Sequence, residues 1–350
     1  MPTILMAKIG TAPFVERDEK ILAEFSTLRV YRFGTKSWRF LLSMPGFVLW
    51  VLRHGRSADL FFARFAHYHA FLLGLAARLL RKKLALVLGG SDAIWIPRFR
   101  YGVYAHWLSR HTTRWALKLA SLLLPNHESL IQGVNTYSDD EPRPEGILEY
   151  NPDITTRIIP VHNGYDTEFW RPLSGVGKEP IILAVAATDD YKVFATKGLD
   201  YYIRTAAALP GRTFMLIGLE RDILQRWWTD PVPANLTLFP KVGKEDLRKL
   251  YSRAKVFAHF TLTEGMPNVL CEAMLCECVP VGSNVNSLPD IIGDCGFLVY
   301  RRNVDEMAQA IEQAIASDLG AKARARIVER FPLAKRKREL RAALETLLNQ

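Results

Sequence analysis

The chain has 350 residues, 49% of them hydrophobic and 23% charged, with four cysteines and a formal net charge of +10. These values exclude a disordered, collagenous or disulfide-stapled chain, and the length allows two domains with full cores. The longest apolar run, Phe40 to Leu52, holds Pro45 and Gly46 and falls short of the ~20 residues that a membrane-spanning helix needs.

The first residues carry no signal-peptide pattern, and Ile4–Ile9 predicts a buried strand. Further strands are predicted at Leu28–Phe33, Asp59–Phe65, Leu84–Leu88, Ser121–Pro125 and Arg157–Pro160. Helices are predicted at Arg17–Phe25, Trp38–His54, His69–Arg81 and Ala105–Leu119. Short apolar runs bounded by turns suit strands buried on both faces, and their alternation with helices implies a parallel, doubly wound sheet. From Phe25 to His127 the only acids are Asp59 and Asp92, against sixteen Lys and Arg, a local charge of +14 that leaves −4 for the remainder. So large an asymmetry points to an anionic surface or acceptor, with a membrane leaflet and nucleic acid as candidates. Bases mixed with aromatics in 36–45 and 95–101 suit a membrane interface, although a helix covering the sheet accounts for most apolar residues of the first stretch.

Asn163-Gly164 and the following Trp170-Arg171-Pro172 mark a connector, and residues 173–180 read as a linker. A second series follows. Strands are predicted at Ile181–Ala186, Thr213–Gly218, Leu236–Phe239, Val256–His259, Val279–Ser283 and Phe297–Val299, with helices at Gly198–Leu209 and Glu245–Ala254. Residues 304–350 are helical by pattern, broken at Pro332. Two Rossmann-like halves imply ligand binding at the carboxyl ends of their strands, in a cleft between them. Cys271, Cys276, Cys278 and Cys295 lack the spacing of a zinc or redox pair and read as reduced, mostly buried thiols.

Residues 263–274 are the most informative stretch. Gly265 and Pro267 forbid regular helix, and the apolar run Val269–Leu275 then opens one. A helix N-terminus seats a phosphate, while a carboxylate at Glu272, one face along from Glu264, suits the hydroxyls of a neutral polyol. The sequence E-G-M-P-N-V-L-C-E-A-M, then V-P-V-G-S and L-P-D-I-I-G-D-C-G-F-L-V, resembles the donor-site signature of the GT4 family, retaining glycosyltransferases with the GT-B fold. The stretch N-G-Y-D-T-E-F-W-R-P at 163–172 is similar to the family segment that closes its first domain.

The resemblance implies an α/β chain of two Rossmann-like domains facing across a cleft. Residues 1–172 would bind the acceptor, 173–330 the nucleotide sugar, and a helix at 331–350 would return to the first domain. It implies that Lys197, in a "K-G" pair with Gly198, contacts the donor diphosphate. Glu264 would sit near the sugar ring, the backbone of Gly265, Met266, Pro267, Asn268, Val269 and Leu270 would hold sugar and phosphate, and Glu272 would bind the ribose hydroxyls. Gly10 and Thr11 match the loop that lets backbone approach the diphosphate. The loop 239–242 matches the one that reads the nucleobase.

Two departures stand out. The family's arginine after the first strand of the second domain is absent, with Lys192 as a substitute, and a family histidine near residues 89–93 has no counterpart but Asp92. Asp92 either orients the acceptor hydroxyl or caps the next turn. His67 and His69 form an H-x-H pair without partners for a metal. With no D-x-D motif, catalysis without metal or other cofactor is expected. The expected protein is a cytoplasmic glycosyltransferase, peripheral to the inner face of a membrane, with a nucleotide-sugar donor, an anionic or lipid-linked acceptor, and no nucleic-acid partner. A nucleotide-sugar epimerase, a non-catalytic sugar-nucleotide-binding subunit and a nucleic-acid binder remain as alternatives.

Overall fold

The computed structural model of the chain describes residues 1–137 and 142–349. The chain divides into two compact units. The first comprises Met1–Gly133, Glu145–Asn163 and Ala334–Gln350, the second Val134–Pro144 and Gly164–Leu333.

In the first unit the chain runs β1 (Thr3–Ile9), α1 (Pro13–Ala23), β2 (Thr27–Phe33), α2 (Ser37–Leu42), α3 (Met44–His54), β3 (Leu60–Arg64), α4 (Tyr68–Leu79), β4 (Lys83–Leu88), α5 (Trp107–Leu119) and β5 (Leu122–Pro125). A short ribbon of β6 (Gly133–Asn135) and β7 (Arg143–Glu145) follows, most of which, Val134–Pro144, falls in the second unit, and α6 (Ile147–Tyr150) and β8 (Arg157–Ile158) then complete the first. Parallel strands form a sheet in the order β2-β1-β3-β4-β5-β8. Ile4–Ala7, Leu60–Ala63 and Leu84–Leu88 are buried, as their unbroken apolar runs require of central parallel strands. Among the described residues strand β2 has a neighbour on one side only, and much of it is half exposed or exposed.

The second unit runs β9 (Glu179–Val185), α7 (Tyr191–Thr196), α8 (Leu199–Ala208), β10 (Thr213–Ile217), α9 (Arg221–Leu224), β11 (Leu236–Phe239), α10 (Lys244–Arg253), β12 (Ala254–His259), α11 (Asn268–Leu275), β13 (Val279–Ser283), α12 (Leu288–Ile292), β14 (Phe297–Val299), α13 (Val304–Ala316) and α14 (Gly320–Arg330). Its parallel sheet has the order β11-β10-β9-β12-β13-β14. The last helix, α15 (Leu333–Leu348), falls largely in the first unit. All four cysteines are buried, and none forms a disulfide among the described residues.

Some boundaries differ from those expected. The first unit ends at Asn163, ahead of residue 172, because the next segment is tied to the second unit. Tyr165 N–H donates to Phe331 O (3.0 Å), Leu333 N–H donates to Tyr165 O (2.8 Å), and Arg324 donates to Trp170 O (2.8 Å) and Thr167 O (3.1 Å). The helix expected over Trp38–His54 is two helices. Pro45, in the first turn of α3, has no N–H to continue α2, and Ser43 Oγ donates to Arg39 O (2.7 Å). The C-terminal helical run has a second break, at Ser317, whose extended backbone lets Gly320 start α14 where a Cβ would lie 2.5 Å from Glu277 O.

An ion cluster buried inside the first unit joins α1, β3 and α15. Arg336 donates through Nε and Nη2 to the two oxygens of Asp18 (2.8 Å each), and Arg64 donates to Asp18 as well. Arg336 also donates to Val161 O (3.0 Å) and His162 O (2.7 Å). Burial pushes the Asp18 carboxyl up, but Arg336 and Arg64 outweigh it and hold the group below its usual range.

Candidate active site

In an open parallel sheet, ligands bind where adjacent strands send the chain in opposite directions. In the second sheet that point lies between β9 and β12. The segments leaving these strands are laced together. Leu262 N–H donates to Thr196 O (2.8 Å), and Thr261 Oγ1 donates to the same oxygen (3.1 Å). Gly198 has φ +66°, and a Cβ there would sit 2.0 Å from Phe260 O, so no other residue fits. This close approach places Lys197, the last residue before that glycine, in an ion pair with Glu264.

Other groups hold Glu264. His259 Nε2 lies 3.4 Å from the Glu264 carboxylate. Asn286, at φ +44°, accepts on Oδ1 from Glu264 N–H (3.0 Å) and Thr263 Oγ1 (3.1 Å). Ser283 Oγ donates to Thr261 O (2.5 Å) from the end of β13. Burial pushes the Glu264 carboxyl up, yet Lys197 and the bond from His259 prevail and hold it at about 2. Burial lowers His259, reinforced by Lys197 and only partly opposed by Glu264, so the ring is neutral at pH 7.

Helix α11 begins just beyond, at Asn268. Pro267 in the cap position offers no side-chain acceptor, so the first N–H groups of the helix are left uncapped. Asn268 Oδ1 is buried with no hydrogen-bond partner among the described residues. Gly265, Met266, Pro267 and Leu270 are buried, and Asn268 and Val269 half-buried. A helix N-terminus beside a lysine is an anion seat, and the Glu264 carboxylate next to it can accept only from hydroxyl or N–H donors. Glu272 is half-buried in the second turn of α11. Together with burial, its charge pushes the Tyr251 phenol up.

Lys197, Glu264 and residues 265–270 thus converge, with Glu272 on the same helix. Of the other residues singled out from the sequence, Gly10, Thr11 and Asp92 lie in the first unit and Lys192 in the second. Gly10 follows β1 at φ +68°, and a Cβ there would meet only Thr35 Cγ2 at 3.5 Å; Thr11 is exposed. Asp92 is fully buried, and its carboxylate accepts from Gly89 N–H (3.0 Å), Gly90 N–H (3.0 Å) and Ala66 N–H (3.2 Å). That geometry favours the turn-capping alternative for Asp92. Lys192 stands in the first turn of α7, where Asp190 Oδ1 accepts from its backbone N–H (2.7 Å).

Sequence reasoning missed His259 and Asn286. The available signal was a histidine closing a buried strand five residues before Glu264. It also missed a group formed by His127, Glu128 and His162, whose ligand atoms lie within 4.8 Å of one another. Nδ1 of His127 accepts from Ser129 N–H (3.1 Å), which puts the proton of a neutral ring on Nε2, 3.7 Å from Glu128. His162 Nε2 is 2.9 Å from the same carboxylate. Such a carboxylate gathered between two imidazoles suits a hydrogen-bonded clamp better than a metal seat, which needs the Nε2 lone pair.

Residues 179–317 match the family described as Glycosyl transferases group 1. In sequence the chain is similar to O-antigen chain mannosyltransferase B of Escherichia coli, 38% identical over 77 residues, or 22% of this chain and 20% of that protein. It is also similar to D-inositol 3-phosphate glycosyltransferase of Mycobacterium marinum, 27% identical over 181 residues, or 47% of this chain and 38% of that protein. The chain therefore matches less than half the length of these curated relatives. In structure it is similar to sucrose-phosphate synthase from Thermosynechococcus elongatus, with TM-score 0.74 and 14% identity over 100% of both chains. Anabaena Alr3699/HepE in complex with UDP aligns with TM-score 0.72 and 16% identity, over 99% of this chain and 100% of that one.

Proposed function

We propose, from the premise that this chain is a group 1 glycosyltransferase with the GT-B fold, that it moves a sugar from a nucleoside-diphosphate sugar to an acceptor hydroxyl with retention of anomeric configuration. The observation that carries the reading is the Lys197–Glu264 pair beside the uncapped start of α11. The diphosphate sits on the free N–H groups of α11, with the Lys197 ammonium neutralising it. The ionised Glu264 faces the sugar ring, and Glu272 takes the ribose hydroxyls. As the bond from the anomeric carbon to the phosphate oxygen breaks, negative charge grows on the leaving diphosphate, where Lys197 and the helix dipole act. The acceptor oxygen bonds to the anomeric carbon from the same face, and its proton passes to the departing phosphate oxygen. That step asks for no separate base, consistent with Asp92 being occupied by backbone N–H groups. Lys192 takes the role of the absent arginine. The same Anabaena protein is also described with UDP-glucose, which supports a nucleotide-sugar donor.

The test is a transfer assay with UDP-, GDP- and ADP-sugars. Acceptor-dependent release of nucleoside diphosphate is expected with one of them, unaffected by a metal chelator, because Lys197 and the helix supply the positive charge. Release of an epimerised sugar without acceptor would instead identify an epimerase. Binding without release would identify a non-catalytic subunit, in which Lys192 does not replace the missing arginine. Glu272→Ala should reduce the thermal shift given by the active donor and weaken its affinity about tenfold or more, the loss of a charge-assisted hydrogen bond. An unchanged shift removes the ribose contact.

The acceptor is proposed to be membrane-borne, reached from a cytoplasmic, membrane-peripheral position. On α3, Phe47 is buried and stacks with Trp50 against Tyr31, so part of the helix covers the sheet as expected. The outer side of α2 and α3 does not: Leu41 and Leu42 on α2 and Leu49 and Leu52 on α3 are each about two-thirds exposed, with Lys36, Arg39, Arg53 and Arg56 exposed along the same stretch. Apolar side chains ringed by bases are the composition of an interfacial helix on an anionic leaflet. The protein should sediment with anionic vesicles at low salt and be released by Leu42→Glu with Leu49→Glu. Protein left in the supernatant at low salt counts against membrane contact.

A further inference from the structure

The first sheet has its own switch point, between β1 and β3. A cavity of about 630 Å3 lies there. Lys8 and Arg64 line it from the ends of those strands, but each is already paired, Lys8 with Glu19 and Arg64 with Asp18. Ile9, Phe40, Leu41, Phe65 and Leu108 make the rest of the lining largely apolar. The volume is that of a small-molecule site, and its chemistry favours an uncharged, aliphatic guest over an anion.

Two residues mark the cavity as more than a packing gap. Phe65 has φ +65°, a left-handed conformation that is unfavourable for a bulky residue and persists where the surroundings enforce it. Gly89 makes room for it, since a Cβ at that position would lie 2.3 Å from Phe65 Cε1. His67 also lines the cavity, and neither of its ring nitrogens has a hydrogen-bond partner among the described residues. Burial holds its pKa below the usual histidine value, against the pull of Asp92, so the neutral ring can accept from a hydroxyl. Leu41 and Leu108 are 67% and 55% exposed, so the lining continues onto the surface, and Leu41 belongs to the apolar face of α2 and α3.

We propose that this cavity is the acceptor site and takes an amphiphile, a hydroxyl-bearing head joined to an aliphatic chain. The chain lies along Phe40, Leu41 and Leu108, and the hydroxyl meets His67. The word acceptor rests on the glycosyltransferase reading; the binding of an amphiphile does not.

The probes are n-alkyl glucosides from hexyl to nonyl, each below its micelle concentration, titrated calorimetrically into the full chain. Kd should fall about fourfold for each added methylene. Leu41→Glu and Leu108→Glu, both at positions more than half exposed and so compatible with folding, should flatten that dependence and weaken the nonyl glucoside more than tenfold. His67→Ala should weaken every chain length alike by about fivefold, the value of one hydrogen bond, and His67→Gln should restore most of it. A Kd independent of chain length, or a dependence untouched by Leu41→Glu and Leu108→Glu, overturns the proposal. Uniform affinity across the His67 variants overturns the place of the hydroxyl. If the glucosides bind as described and accept no sugar from any nucleotide sugar, the transferase reading fails and the amphiphile site stands.

Discussion

Lys197→Ala is expected to lower kcat/KM for transfer by about 10²–10³-fold, the usual cost of removing one preorganised stabiliser of transition-state charge. The loss should fall on kcat more than on KM, because the charge that Lys197 meets grows as the diphosphate leaves. Lys197→Arg should recover little, since a planar guanidinium does not replace a compact ammonium beside Glu264. A second signature is the pH profile. With Glu264 held at about 2, the carboxylate stays ionised throughout the working range, and no acid limb near pH 4–5 is expected from it. Without Lys197 the burial of Glu264 is opposed only by His259, its pKa rises, and an acid limb should appear. A Lys197→Ala enzyme with unchanged kcat and an unchanged profile would remove this lysine from the chemistry.

Asp18→Asn should be the most destabilising single change in the first unit. It leaves Arg64 and Arg336 buried without their counter-ion, a loss of about 3–5 kcal/mol. Because the Asp18 pKa is depressed in the fold, its stabilisation is present above the carboxyl's unfolded value and is lost as pH falls through the lower folded one. Urea unfolding of the full chain, followed by tryptophan fluorescence, should show the early loss of one transition. Lys337→Ala breaks the Lys337–Glu24 pair, both of whose partners are well exposed, and should change stability by less than about 1 kcal/mol. Equal effects of the two substitutions would mean that the buried cluster adds nothing beyond a surface pair.

The alternation of strands and helices was legible because central parallel strands bury both faces and so read as unbroken apolar runs. The start of α11 was legible for a local reason: Gly265 and Pro267 exclude helix, and an apolar run follows. Lys197 could be singled out because its pair with Gly198 resembles the family's K-G motif, and the structure adds the reason for the glycine, its close contact with Phe260. Asn286 was not legible, since its role arises only when β12 and β13 lie side by side, whereas His259 left one local signal, its place at the end of a buried strand five residues before Glu264. The Asp18–Arg336 contact spans 318 positions and leaves no local trace. In the stretch from Trp38 to Leu52 apolar residues occupy both sides of the helices, and periodicity alone could not say that Leu42 and Leu49 face outward while Phe47 faces in.

Hydrogen–deuterium exchange of the full chain, with and without the nucleotide sugar that supports transfer, tests the donor seat most directly. The uncapped N–H groups opening α11, residues 268–270, should become protected together with the loop 264–267 and the Lys197–Gly198 turn. Glu264→Gln should reduce that protection. Protection confined to other segments, with residues 264–270 exchanging as in the free protein, would contradict the placement of the donor at the β9–β12 switch point.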